Sequence, residues 1–176
     1  MQKAVVRKRR PTPLSEYGRQ LSQKQELRNQ YNLKEHQFAK YVKETLDKKI
    51  KGDVTAAQVF IERLERRLDN IVFRAGIADT RSQARQMVSH GHFMVNGKRT
   101  RIPSYETHVG DVMTVVPSAL AKALFKNALL KIKKYNPPAW LEVNKDTLGI
   151  TRKGAPNLQD LGLAVEVPLI FEFYSR

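Results

Sequence analysis

The chain has 176 residues, with 32 Lys and Arg against 17 Asp and Glu, a formal charge of +15 and no cysteine. Disulfides, thiol catalysis and cysteine-based zinc sites are excluded, and no run nears the roughly 18 apolar residues of a spanning helix. So basic a chain repels itself unless a polyanion neutralises it, which makes nucleic acid the first partner to consider and an acidic membrane surface the second.

Residues 1–13 hold Arg7, Arg9 and Arg10 with Lys3 and Lys8 and no acid, then Pro11 and Pro13. They lack the apolar core of a signal peptide and make a poor mitochondrial presequence. The composition is that of a disordered basic arm that orders on a nucleic-acid surface. Ser15 is placed to cap a first helix running to about Gln30. A second starts near Lys34, carries Phe38, Tyr41, Val42, Leu46 and Ile50 at helical spacing, and ends at Gly52. Lys24 and Arg28 on the first helix, and Lys40, Lys43 and Lys48 on the second, lie off the apolar stripe. Their number exceeds what solubility needs, which favours phosphate contact for some of them.

Thr55-Ala56-Ala57-Gln58 has the spacing of a capping box. The helix it opens is expected to bury Ile61, Leu64, Leu68, Ile71, Val72 and Ala75 on one stripe and to stop at Gly76. Thr80-Arg81-Ser82-Gln83 repeats the capping pattern for a short helix that faces Ala84, Met87 and Val88 inward and ends at Gly91. Arg81 and Arg85, one turn apart, are expected to project from its exposed side. Phe93 to Val95, the pair Asn96-Gly97 and Lys98 to Ile102 read as a hairpin, because both turn residues tolerate positive φ. Lys98 and Arg99 then sit at the ribbon tip. From Thr80 to Arg101 there are five arginines and lysines and no carboxylate. A third strand follows at Val112 to Val116, then a helix from Ser118 to Tyr135 with five lysines and no acid, broken by Pro137-Pro138. Short extended pieces are expected at Trp140 to Val143 and Leu169 to Tyr174, with a turn at Asn144 to Gly149.

Groups that converge for catalysis are missing. There is no G-x-S-x-G elbow, no phosphate-binding glycine loop and no H-E-x-x-H. The acids are scattered among bases, as in surface ion pairs. Asp69 is placed to pair with a nearby arginine and Asp111 to bond turn amides. His90 and His92 flank Gly91, where RNA contact or solvent exposure is a better reading than a metal. No enzyme activity, cofactor or metal is expected. A helix-turn-helix reader of DNA needs a third helix where this chain has a hairpin, whereas basic faces spread over several elements suit folded RNA.

Five runs together resemble the alpha-L RNA-binding module: Arg67-Leu68-Asp69, Arg81-Ser82-Gln83-Ala84-Arg85-Gln86 with His90-Gly91, Val95-Asn96-Gly97, Pro103-Ser104 and Val109-Gly110-Asp111. That module also occurs in pseudouridine synthases, tyrosyl-tRNA synthetases and a heat-shock ribosome-binding protein. The flanks narrow the choice. Ser15-Glu16-Tyr17-Gly18-Arg19-Gln20-Leu21 with Lys24-Gln25, the segment Trp140-Leu141-Glu142-Val143, and the terminal Leu169-Ile170-Phe171-Glu172-Phe173-Tyr174-Ser175-Arg176 resemble the bacterial type of the ribosomal protein S-four family. The likeness runs from about Leu14 to the last residue. The sequence departs from it in a shorter N-terminal segment without cysteines, and in Leu158 where an arginine is usual.

The resemblance implies an α+β fold: a helical N-terminal domain plus the alpha-L module, its helices packed on a small, mainly antiparallel sheet. The implied division is an arm over 1–13, a helical RNA-binding domain over 14–54 completed by 160–176, the module over 55–117, and an extension over 118–159. It implies a structural, non-catalytic constituent of the small ribosomal subunit. Such a protein binds small-subunit rRNA at a multi-helix junction early in assembly, lines the channel through which mRNA enters and touches neighbouring proteins, protein S-five among them. Its place would be the cytoplasm, in the ribosome. By position Arg67, Arg81, Arg85, His90, Lys98 and Arg99 match the module's RNA-facing surface, and Tyr17, Lys24 and Arg28 the N-terminal one. The alternative, a free RNA-processing or maturation factor with the same module, needs a catalytic domain that this sequence lacks.

Overall fold

In the computed structural model, which describes residues 14–48, 55–156, 161–162 and 165–175, the side chains marked as caps begin helices. Ser15 accepts the Gly18 amide at the start of α1 (Glu16–Gln30), and α2 (Glu35–Leu46) follows. The second helix, expected to run to Gly52, ends at Leu46 with Asp47 as its C-cap; Ile50 and Gly52 themselves lie outside the described residues. Thr55 and Gln58 form both bonds of a capping box on α3 (Ala56–Glu65), and Thr80 accepts the Gln83 amide at the start of α5 (Arg81–Ser89). Each such cap satisfies an amide that the first helical turn leaves without a partner.

Two helices read as continuous are broken, and one strand is a helix. The stretch from Thr55 to Ala75 divides into α3 and α4 (Leu68–Arg74), with Arg67 extended at φ −64°, ψ 137°. Its single stripe hides two destinations: Phe60, Ile61 and Leu64 enter one core, while Leu68, Ile71, Val72 and Ala75 enter another. The break is held by the 103–107 loop. Leu68 and Asp69 donate their amides to Tyr105 and Pro103, and Thr107 donates its amide to Arg66. Likewise Ser118 to Tyr135 divides into α6 (Pro117–Leu120) and α7 (Ala123–Ile132) around an extended Lys122. Ala119 and the stripe of Phe125, Ala128 and Ile132 would face different ways on one straight helix; the break lets all four be buried. The C-terminal segment, expected to be extended, forms α8 (Val167–Tyr174). Its aromatic content favours strands, yet Val167, Ile170, Phe171 and Tyr174 repeat at helical spacing and join one core.

The strands β1 (Phe93–Val95), β2 (Lys98–Thr100), β3 (Val112–Val115), β4 (Leu141–Asn144) and β5 (Gly149–Arg152) form one antiparallel sheet in the order β2-β1-β3-β5-β4. Its inner face, with Phe93, Val95, Met113, Val115 and Ile150, packs on α4, α5 and α7. The second core is helical. There α8 lies along α1 and α2, with Phe38 edge-on to Phe60 and Phe60 edge-on to Phe171. The C-terminal helix thus packs on the N-terminal ones, with Glu172 accepting from Gln20 and Glu35 from Tyr174. Among the described residues no helix is long and apolar enough to cross a membrane.

Candidate nucleic-acid interface

The acid-free stretch from Thr80 to Arg101 folds as its caps and turn dictate, but its cations go to two different places. At the tip of the β1–β2 hairpin, Asn96 and Gly97 take φ of 49° and 78°, both left-handed, so the turn twists with its strands. The Asn96 side chain is anchored by the Asp111 carboxylate and the Val112 amide, and Asp111 also accepts the His108 amide. Burial disfavours the Asp111 carboxylate, but these bonds win and hold it below the ordinary aspartate value. Lys98 and Arg99 are exposed on the ribbon.

Behind the ribbon, Gly91 ends α5 at φ 69°. A Cβ there would stand 3.0 Å from the Arg101 side chain and from Arg99 Nε, so the glycine lets two guanidinium groups lie over the backbone. Arg99 donates to the Gly91 carbonyl at 2.6 Å. His92 is buried beside them, edge-on to Phe125 and to His90. Burial lowers its proton affinity first, and Lys122, His90 and Arg99 lower it further. The ring therefore sits within reach of two cations, Lys122 and Arg99. Among the described residues, Lys98, Arg99, Arg101 and Lys122 form no ion pair.

Arg67, Arg81 and Arg85 are elsewhere. They lie in a seam between the helical unit and the sheet unit, and the exposed side expected for Arg81 and Arg85 is not where the structure puts them. Arg67, 3% exposed, pairs with both oxygens of Asp69 at 3.0 and 2.7 Å and donates to the Tyr41 hydroxyl. Burial alone would lower its proton affinity, but Asp69 and Tyr41 raise it. Arg85 reaches the same Asp69 at 3.0 Å and the Asn32 carbonyl after α1. Arg81 donates to Asn70, with its guanidinium 4.7 Å from the Tyr31 ring centre and 4.4 Å from that of Phe73. Desolvation pulls its proton affinity down, though a guanidinium remains charged. Beneath lies Glu65, fully buried, which accepts from Tyr31, Asn70 and both ends of the Arg74 fork. Burial and the Glu65 carboxylate push the Tyr31 phenol well above its ordinary value. A buried carboxylate with four donors is stable only while those donors stay in place.

The N-terminal surface divides the same way. Lys24 is buried, paired with Glu35 at 2.8 Å and 4.6 Å from the Phe173 ring centre. Arg28 takes the other oxygen of Glu35 at 2.9 Å. Burial of Glu35 works against these bonds, but Lys24, Tyr174 and Arg28 hold its pKa below the ordinary value. Tyr17, 51% exposed, packs against the Phe173 ring at a tilt, 5.6 Å between ring centres. Arg7, Arg9 and Arg10 lie outside the described residues. Sequence reasoning missed Glu65, Arg74 and Arg101, and also Arg152, which is buried and donates to Thr107, Gly154 and Glu62. Asp69 was legible as an arginine partner, but Arg85 as a second one was not.

Residues 2–65 match the family model of the ribosomal protein S4/S9 N-terminal domain, and residues 66–113 match that of the S4 domain. The boundary between them falls at the α3–α4 break. The small ribosomal subunit protein uS4 of Gloeobacter violaceus is 44% identical over 163 residues, 93% of this chain and 76% of that protein. The uS4 of Chloroflexus aurantiacus is 39% identical over 175 residues, 98% of this chain and 82% of its own length. The uS4 of Halothermothrix orenii is 40% identical over 170 residues, covering 97% and 78%. With two family models spanning both folding units and relatives this similar over nearly the whole chain, it belongs to the uS4 family of small ribosomal subunit proteins, a structural and non-enzymatic family.

Proposed function

We propose that this protein is a structural constituent of the small ribosomal subunit that grips rRNA with the hairpin face while the seam arginines hold that face at a fixed angle to the helical unit. The observation that carries this reading is the set of cations beside His92, where Arg99, Arg101 and Lys122 form no ion pair among the described residues. Like charges held together without a counter-charge raise the energy of the free protein, and a phosphate backbone relieves it. Lys98 extends this surface at the ribbon tip, and Tyr17 offers a ring face for a base on the helical unit. Arg7, Arg9 and Arg10 of the N-terminal arm add backbone contacts. Arg67, Lys24 and Arg28 position other residues rather than meet phosphate directly.

In this reading the chain folds as two units that meet at Arg66 and Arg67, with residues 160–176 completing the helical one. Sited early at a multi-helix rRNA junction, the protein nucleates assembly, borders the channel through which mRNA enters and contacts neighbouring proteins such as protein S-five. Its compartment is the cytoplasm. Sedimentation of a lysate tests the core of the proposal: the chain should travel with small subunits at one copy each and resist removal by a low-salt wash. A free pool absent from mature subunits would overturn it in favour of a maturation factor.

A further inference from the structure

From Pro117 to Tyr135 the chain has five lysines and no acid. The sheet core takes Phe125, Ala128 and Ile132 from α7, with Leu129 packed at its margin. The opposite side carries Lys126 and Leu130; Lys133, the C-cap residue, and Lys134 in the turn beyond carry it on, and all are exposed. Lys131, off this stripe, is paired with Asp79. For the others no ion pair forms among the described residues.

Two features argue against a merely solvated face. Lysines near the last turn of a helix complement its dipole, which accounts for Lys133 and Lys134 locally. The same dipole disfavours Lys122, which is the N-cap residue of α7 without a capping side chain, and Lys126 one turn on, and the first turn holds no acid to compensate. The ridge is also continuous with the hairpin face. Lys122 lies within electrostatic reach of the His92 ring, and the Lys126 amide donates to the Lys122 carbonyl one turn below. Leu124 of α7 joins Gln83 and Gln86 of α5 and its C-cap residue His90 around one cavity of about 220 Å³.

We infer that the exposed ridge along α7 and its C-terminal turn, Lys126, Lys133 and Lys134 with Lys122 at its foot, is a second phosphate-backbone track of the same RNA, running on from the hairpin face. It rests on the RNA-binding reading above. The stripe from Lys126 to Lys134 is about 12 Å long at 1.5 Å per residue, enough to follow two or three phosphates of one strand. RNA is favoured over an anionic membrane because the apolar side of α7 is spent on the core, leaving Leu130 (68% exposed) as the large apolar residue within the stripe.

The test uses the full chain and a transcript of small-subunit rRNA, with anisotropy titrations over a salt series. Wild type is compared with K126Q/K133Q/K134Q and with K98Q/R101Q. The ridge variant should keep the wild-type Tm, bind about tenfold more weakly, and reduce the slope of log affinity against log salt by about 2. Affinity within twofold and an unchanged slope would overturn the ridge while leaving the RNA-binding reading intact if the hairpin variant weakens. Wild type without salt-dependent RNA binding would overturn both. Wild type that binds phosphatidylserine vesicles through these lysines, with RNA affinity indifferent to them, would overturn the ridge in favour of a membrane.

Discussion

Arg85 and Lys98 come from one acid-free stretch of sequence, yet in the structure they belong to opposite populations. Arg85, with Arg67 and Arg81, sits in a seam where each guanidinium meets a carboxylate, an amide or an aromatic ring supplied by another element. Lys98, with Arg99 and Arg101, is exposed and, among the described residues, forms no ion pair. The difference teaches that cation count is a poor guide to an RNA surface. What marks it is positive charge that the fold leaves uncompensated, because a phosphate can supply what no side chain has supplied.

The sharpest way to break this division is to attack the seam. Glu65→Ala removes the acceptor shared by Tyr31, Asn70 and Arg74 and leaves Arg74 largely buried without its counter-charge. Breaking a buried pair in this way costs about 3–5 kcal/mol, which urea unfolding of the free protein would reveal. A loss under about 1 kcal/mol would mean that the seam does not hold the two units. The next effect is smaller. Arg85→Ala removes one of two arginines on Asp69 while Arg67 keeps the carboxylate paired, so the expected cost is about 1.5–3 kcal/mol of stability. Affinity for rRNA, measured where the variant is still folded, should stay within about threefold if Arg85 only positions other residues. A tenfold loss with unchanged stability would return Arg85 to the RNA surface.

On the other side of the comparison, Lys98→Gln with Arg101→Gln should leave unfolding unchanged, since substitutions of exposed, unpaired groups usually move stability by no more than about 0.5 kcal/mol. Affinity should fall by about tenfold and the salt slope by about 2, near one per lost phosphate contact. If the seam variant changed the salt slope more than this hairpin variant, the two populations would have to be exchanged.

The same contrast explains what the sequence could reveal. Caps and turns are decided within four residues, and Ser15, Thr55, Thr80 and Asn96-Gly97 stand where their chemistry predicts. The breaks at Arg67 and Lys122 were not legible, because each is decided by which core claims the apolar residues on either side. The α8 stripe at Val167, Ile170, Phe171 and Tyr174 was present in the sequence but masked by residue types that favour strands. In the candidate site, the ribbon was legible and the seam was not. Its ion pairs join positions far apart, such as Arg74 with Glu65 and Arg85 with Asp69, so a window without acids did not imply cations without partners.

The smallest expected effect is also the most local probe of where RNA sits. In the free protein, burial and then Lys122, His90 and Arg99 hold His92 below the ordinary histidine value of about 6.5. A histidine so depressed contributes stability that is present above its unfolded value and is lost as pH falls through its folded value. Lys122→Gln removes one of those causes and should raise the His92 midpoint in an NMR titration of the free protein. Bound phosphates would neutralise the same cations. Because the ring is already buried, further desolvation adds little, so the midpoint should move up in the RNA complex. By linkage, RNA binding then takes up a fraction of a proton and affinity rises as pH falls toward that midpoint. If His92 stays where it is in the complex, or moves down, the phosphates do not lie on Lys122 and Arg99, and the cations of the hairpin face have some other use.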